Sequence, residues 1–146
     1  MKEVISIPAS GTQELIKKYL VHAHPYPRSY KASQYMTFRK TGGYMDALYS
    51  VQCELVLKHG DPEIENKVNY LESEIKNRLL GYIYERRNKF GFGKKEEFKF
   101  YILKEERRLD HFPAPKETLQ GHTYYTYDEI TCGKTIITRE TDKGYL

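Results

Sequence analysis

Met45-Asp46-Ala47-Leu48-Tyr49-Ser50-Val51-Gln52-Cys53-Glu54-Leu55-Val56-Leu57 carries the clearest pattern in the chain. Met45, Ala47, Tyr49, Val51, Cys53, Leu55 and Leu57 fall on one face, and Asp46, Ser50, Gln52 and Glu54 on the other. A period of two is the signature of a strand with one buried face, and a strand this long is expected to bend or bulge. Just upstream, Tyr35 to Lys40 alternates Met36 and Phe38 with Thr37 and Arg39, and Thr41-Gly42-Gly43 supplies a hairpin turn. Two strands joined so tightly are antiparallel.

Working outward, Asp61-Pro62 reads as the start of a helix, with Asp61 as cap, Pro62 at the first position, and Glu63 and Glu65 complementing the dipole. Ile64, Val68, Leu71, Ile75, Leu79 and Tyr82 then draw one apolar stripe along a single long helix reaching about Asn88, where Gly91 and Gly93 end it. Glu97 to Leu103 is a strand with Phe98, Phe100 and Ile102 on one face, and Lys104 to Leu109 reads as a polar turn and a return strand. Pro113 and Pro115 mark a loop. His122 to Tyr127 and Lys134 to Arg139 read as strands, separated by a turn or short helix around Asp128 to Gly133.

At the other end, Glu3 to Pro8 reads as a short strand, and Ser10 with Gln13 resembles a capping box. It opens a short helix carried by Leu15, Ile16, Tyr19 and Leu20, which Pro25 and Pro27 forbid from continuing. The expected class is α+β: a mainly antiparallel, strongly bent sheet or open β-barrel, packed with one long amphipathic helix and one short N-terminal helix. A chain of 146 residues suits a single domain spanning 1–146.

The chain is 39% hydrophobic and 30% charged, which places it among globular proteins. It lacks an apolar run long enough for a membrane span or signal peptide. Cys53 and Cys132 match no metal or redox spacing, so cytoplasmic residence with reduced thiols is expected. The five histidines are scattered without ligand spacing, and Gly-x-Ser-x-Gly, P-loop and dinucleotide fingerprints are absent. Neither a metal nor a cofactor is expected. An acid pair from Asp46 to Glu54 would need a lysine where Val56 stands, which argues against a nuclease site.

Charge points further. The net charge of +4 is local: Lys17, Lys18, Arg28, Lys31, Arg39 and Lys40 lie between Leu15 and Met45 without one Asp or Glu. Such a stretch favours an anionic partner. Within it, His24-Pro25-Tyr26-Pro27-Arg28-Ser29-Tyr30-Lys31 combines stiff prolines, a guanidinium suited to phosphate, a hydroxyl, and aromatic faces for stacking. The plainer reading is a solvated proline-rich connector. Arg86, Arg87, Lys89, Lys94 and Lys95 form a second basic group, which the helix dipole already explains. Fourteen Tyr, six Phe and no Trp add ring surface with polar tips, though many of these tyrosines are ordinary strand residues.

A second cluster is Gly121-His122-Thr123-Tyr124-Tyr125-Thr126-Tyr127, in which His122, Tyr124 and Thr126 share a strand face. His122-Thr123 resembles half of the motif of two-histidine phosphoesterases. The other copy is missing, since His22 is followed by Ala23 and His24.

Two stretches together carry a wider resemblance. Pro27-Arg28-Ser29-Tyr30-Lys31, Tyr35-Met36-Thr37-Phe38-Arg39-Lys40 and a glycine turn form the first. Phe98-Lys99-Phe100-Tyr101-Ile102-Leu103 and Gly121 to Tyr127 form the second. They are similar to small PUA-like β-barrel modules associated with bacterial restriction and phage-defence systems. The resemblance implies an open barrel that binds a nucleotide base, modified nucleic acid or a free nucleotide signal, without catalysis. The expected function is thus a binding module for a nucleotide-type anionic ligand or nucleic acid, with Tyr26, Arg28, Ser29, Tyr30 and Lys31 as contacts beside Tyr35, Arg39, His122 and Tyr124. The alternatives are a phosphodiester-cleaving enzyme using His122 and a homo-oligomer assembled through its tyrosines.

Overall fold

The computed structural model describes residues 3–9, 11–28 and 30–138. Through them run β1 (Val4–Pro8), α1 (Gln13–Tyr19), β2 (Val21–Pro25), β3 (Tyr35–Arg39), β4 (Ala47–Lys58) and α2 (Ile64–Lys67). There follow α3 (Ser73–Lys89), β5 (Glu97–Arg108), β6 (Ala114–Pro115), β7 (Thr123–Tyr125), α4 (Tyr127–Thr131) and β8 (Ile136–Ile137). The class is α+β. Six strands are ordered β2-β5-β4-β3-β1-β7 and do not close into a barrel, while β6 and β8 pair separately. The described pairs of the sheet are mainly antiparallel, as expected, and it is mixed because β1 and β3 run parallel. Two compact units emerge: Met1–Ser10, Tyr30–Ser50 and Glu105–Leu146 form one, Gly11–Ser29 and Val51–Lys104 the other.

In the first unit β1 is the axis. It pairs parallel with β3 from Val4↔Tyr35 to Pro8↔Arg39, and antiparallel with β7 through Val4↔Tyr125, Ile5↔Tyr124 and Ser6↔Thr123. Val4, Ile5, Ser6 and Ile7 are all buried, so β1 is covered on both faces. The hairpin expected at residues 41–43 is present, with β3 meeting the start of β4 antiparallel at Tyr35↔Ser50 and Met36↔Tyr49. Val4, Met45, Leu48, Leu109, Tyr125, Ile130 and Ile137 make the core. Two hydroxyls inside it are bonded: Thr37 Oγ1 donates to the Ala47 carbonyl at 2.7 Å, and Ser6 Oγ donates to the Met45 sulfur at 3.2 Å. The helix suggested near Asp128 is α4, opened by a capping box in which Glu129 N–H donates to Thr126 Oγ1 at 3.1 Å and Thr126 N–H to Glu129 Oε1 at 2.7 Å.

In the second unit β2 pairs antiparallel with β5, from Val21↔Ile102 to Pro25↔Phe98. This strand is not legible in the sequence, because only Val21 and Ala23 mark its buried face among two histidines and a proline. Helix α1 begins at Gln13, after Thr12, which makes no side-chain cap bond. Ser10, expected as the cap, lies outside the described residues, as does Arg139. Arg78 ties three carbonyls together: its Nε donates to Tyr19 O at 2.9 Å, and its Nη2 donates to Leu20 O at 3.0 Å and Leu103 O at 2.7 Å. That satisfies the C-terminal end of α1, where Leu20 turns left-handed at φ 55°. Gly81 lets α3 approach α1, since a Cβ there would meet the Tyr19 ring at 2.5 Å.

The single long helix is corrected to two. Asp61 accepts from Glu63 N–H at 2.8 Å in the turn before the helix, but α2 runs only from Ile64 to Lys67, with Glu63 rather than Asp61 at its N-cap. Val68-Asn69-Tyr70 is a run of poor helix formers. Asn69 and Leu71 bond three residues back, to Asn66 and Val68, and Glu72 is extended at ψ 145° before α3 begins. The apolar stripe survives the break, with Val68, Leu79 and Tyr82 fully buried and Leu71 and Ile75 packed at the margin of the core. Gly91 ends α3 at φ 76°, its N–H reaching Arg86 O at 2.7 Å. Residues 104–108 are also corrected: they are no turn but the last part of β5.

His22 is buried in this unit, its ring stacked on Tyr101 at 6.0 Å. Burial, then the charges of His24 and Arg86, push its pKa down to about 3.

Two outcomes follow for stability. Leu79→Ala costs roughly 2–5 kcal/mol, whereas Leu71→Ala at the core margin costs less; equal losses in urea titration would show that the stripe is buried evenly. The folded chain keeps His22 neutral down to about pH 3, while the unfolded chain takes up the proton near 6.5. Stability therefore falls as pH drops from about 6.5 toward 3, by at most roughly 1.4 kcal/mol per pH unit. Urea midpoints across that window should fall less steeply for His22→Gln, and parallel slopes would contradict the buried neutral imidazole.

Candidate functional site

The pairing of β7 against β1 decides where the site stands. Thr123 and Tyr125 of β7 turn into the core, so the alternating Tyr124 turns away and is half-buried. His122, just before the strand, is exposed. Against these two residues lies the segment that leads into β3. Lys31 N–H donates to Tyr124 Oη at 2.9 Å, a bond between residues 93 apart in the chain. The Tyr30 ring meets the His122 ring edge-on at 5.1 Å, and His122 meets Tyr124 at 5.7 Å with planes 89° apart. The Lys31 ammonium stands 5.7 Å from the Tyr124 ring centroid. Ser33 Oγ donates to Lys31 O at 3.2 Å, which adds a local bond to the turn. Three rings and one exposed cation thus share one corner of the first unit.

Arg39 was expected to face a ligand. It is instead 4% exposed: Nη1 donates to Ser6 O at 2.9 Å and to Ser6 Oγ at 2.7 Å, and Nη2 donates to Gly121 O. Burial lowers its pKa from the ordinary arginine value, with a smaller opposing effect from Tyr125. It stands behind the corner rather than on it. Tyr35 is also separate from the Tyr30 ring cluster, since its ring packs on Tyr127 at 5.4 Å. Arg107 Nη1 donates to Tyr127 Oη at 3.1 Å there, a pairing the sequence did not suggest.

Tyr26 and Arg28 are exposed residues of the second unit, and Ser29 lies outside the described residues. The basic group at the end of α3 is largely structural. Arg86 donates to Tyr82 Oη at 2.8 Å and Gly91 O at 3.1 Å, with its guanidinium 4.5 Å over Phe92, and Arg87 donates to His59 O. A cleft of about 670 Å³ in the second unit is lined by residues 56–62 with Ile64, Lys67, Glu96 and Glu97, none of them an expected contact. Among the described residues no group of three or more His, Cys, Asp or Glu could hold a metal ion. Nor is any helix among them long and apolar enough to cross a membrane.

Two solved structures resemble the chain. One is a serine-to-alanine mutant of an ASCH protein from Zymomonas mobilis, at TM-score 0.48 and 12% identity, covering 87% of this chain and 91% of that one. The other is the ASCH protein from the same organism, at TM-score 0.46 and 12% identity, covering 92% and 98%. A likeness of that degree does not fix a family. No family model and no curated protein matches the chain.

The Lys31–Tyr124 bond has a direct test. Tyr124→Phe keeps the ring and removes the acceptor, a loss of about 0.5–1.5 kcal/mol for a bond of this kind. Hydrogen exchange of the Lys31 amide should quicken by about tenfold at the upper end of that range. Equal exchange rates in the two proteins would mean the hydroxyl does not hold the segment.

Proposed function

We propose that this chain is a binding module for a nucleotide-type anionic ligand, gripped at the Tyr30–Lys31–His122–Tyr124 corner. The observation that carries the reading is the convergence of these four residues from two distant segments, tied by the Lys31–Tyr124 bond. Tyrosine rings offer faces on which any base can stack, and stacking contributes about 1–3 kcal/mol per base. Lys31 supplies the point charge that a phosphate needs, and His122 can donate or accept at a base edge. The prior tie of Lys31 to Tyr124 lowers the ordering cost of binding. Free nucleotides and single-stranded nucleic acid present this same chemistry, so both belong in the test.

The test is calorimetric titration with nucleoside monophosphates, dinucleotides and short single strands, at low and high salt. Lys31→Ala should weaken binding by roughly tenfold and flatten the salt dependence, as loss of one phosphate contact does. The double Arg86→Ala, Arg87→Ala variant should bind as the parent does, and Arg28→Ala tests the proline segment on its own. Binding lost in the double variant and kept in Lys31→Ala would move the site to the end of α3. Ligand recovered chemically unchanged after incubation supports a binder; cleaved ligand makes His122 the acid or base of a phosphodiesterase.

A further inference from the structure

We infer that Arg39 is a positioning residue whose buried guanidinium holds the Gly121 carbonyl and so sets the stance of His122 between Tyr30 and Tyr124. The inference rests on the binding corner proposed above. Gly121 is exposed, and a Cβ built on it would meet nothing within 4 Å, so a side chain at this position would find no packing. His122, one residue on, is itself exposed, and its ring meets those of Tyr30 and Tyr124 at 5.1 and 5.7 Å. The bond from Arg39 Nη2 to Gly121 O ties this segment to the core just ahead of the Ser6–Thr123 pairing.

The other end of the guanidinium is rigid. Ser6 lies in the middle of β1, fully buried, with Thr123 of β7 as its register partner. Arg39 therefore spans from the interior of β1 to the residues that enter β7. Its acceptors among the described residues are two carbonyls and a hydroxyl, none of them a carboxylate. A buried cation without an acid is costly, and an apolar side chain of similar volume often serves stability as well or better. What an apolar side chain cannot do is place two separate carbonyls at a fixed spacing, which the planar fork of arginine does.

The experiment compares Arg39→Met and Arg39→Lys with the parent by NMR. The readouts are the Gly121 carbonyl carbon, the His122 ring protons and the Tyr30–His122 ring contacts, none of which needs a ligand. Arg39→Met should shift the Gly121 and His122 signals, abolish the ring contacts and leave the β3–β4 pairing signals in place. Arg39→Lys, whose single nitrogen can serve Ser6 or Gly121 but not both in fork geometry, should fall between. With adenosine monophosphate as probe, affinity should drop by about tenfold in Arg39→Met and be partly restored in Arg39→Lys. Should Arg39→Met fail to fold, the Gly121 and His122 signals of Arg39→Lys decide alone. Unchanged signals and ring contacts in the folded variants overturn the inference. If the parent binds no nucleotide, the functional reading falls while the ring contacts still decide the role of Arg39.

Discussion

The pairing of β1 on both of its edges is the constraint on which the first unit depends. Residues 4–8 have almost no local partner, since β3 begins at Tyr35 and β7 at Thr123. Closing those two long loops costs entropy that grows only slowly with length. The return is a strand buried on both faces, with Val4, Ile5 and Ser6 each 0% exposed. Once β3 and β7 flank the same strand, the segment entering β3 and the residues entering β7 are brought to one corner. Tyr30 and Lys31 then meet His122 and Tyr124 without any of the four being close in sequence. The proposed site is a consequence of topology, and no local motif writes it.

This explains which parts of the fold were legible. β4 announced itself because its later half is half-buried in strict alternation, at Val51, Cys53, Leu55 and Leu57. Its first half is buried on both faces, so there alternation says little. The parallel β1–β3 pair was invisible because pairing partner and direction are not encoded in a five-residue pattern. The continuation of β5 through residues 104–108 was missed for the opposite reason. Those side chains are exposed and charged, and a strand exposed on both faces looks like a turn. The ladder carries it: Leu109 N–H still reaches Asp46 O at 2.9 Å, and Ser50 Oγ donates to Glu106 at 2.7 Å. The break between α2 and α3 is not legible in the sequence because the apolar stripe keeps helical spacing across it.

The acid-free stretch from Leu15 to Met45 shows how a charge pattern in sequence is redistributed by folding. Lys18 reaches Glu85 at 2.7 Å, and Lys40 reaches Asp46 at the same distance. Arg39 is inside, on carbonyls. Lys18, Lys40 and Arg39 are thus engaged by groups outside the stretch or by backbone. The surface positive charge that remains is narrower than the sequence suggests. Lys31 matters because it stays exposed while its backbone is held, so its charge is both available and placed. Arg86 shows the converse: a residue from the second basic group is taken up by Tyr82, Gly91 and the Phe92 ring.

The binding character proposed for this corner follows from its contacts. Ring edges already occupy one another, since Tyr30 is edge-on to His122 and His122 edge-on to Tyr124. In an edge-to-face pair the electropositive rim of one ring meets the electronegative face of the next. Each contact therefore orients its neighbour and leaves less side-chain freedom for a ligand to quench. A single exposed ammonium, in reach of solvent, gives a salt-sensitive attraction without the rigid bidentate geometry that reads one phosphate pattern against another. Stacking is likewise tolerant of which base is presented. In the proposed site, pre-ordering thus raises affinity without raising selectivity. Discrimination among nucleotides there falls to the groups that can both donate and accept at a base edge, the His122 imidazole and the Tyr30 and Tyr124 hydroxyls, and so to whatever fixes their backbone.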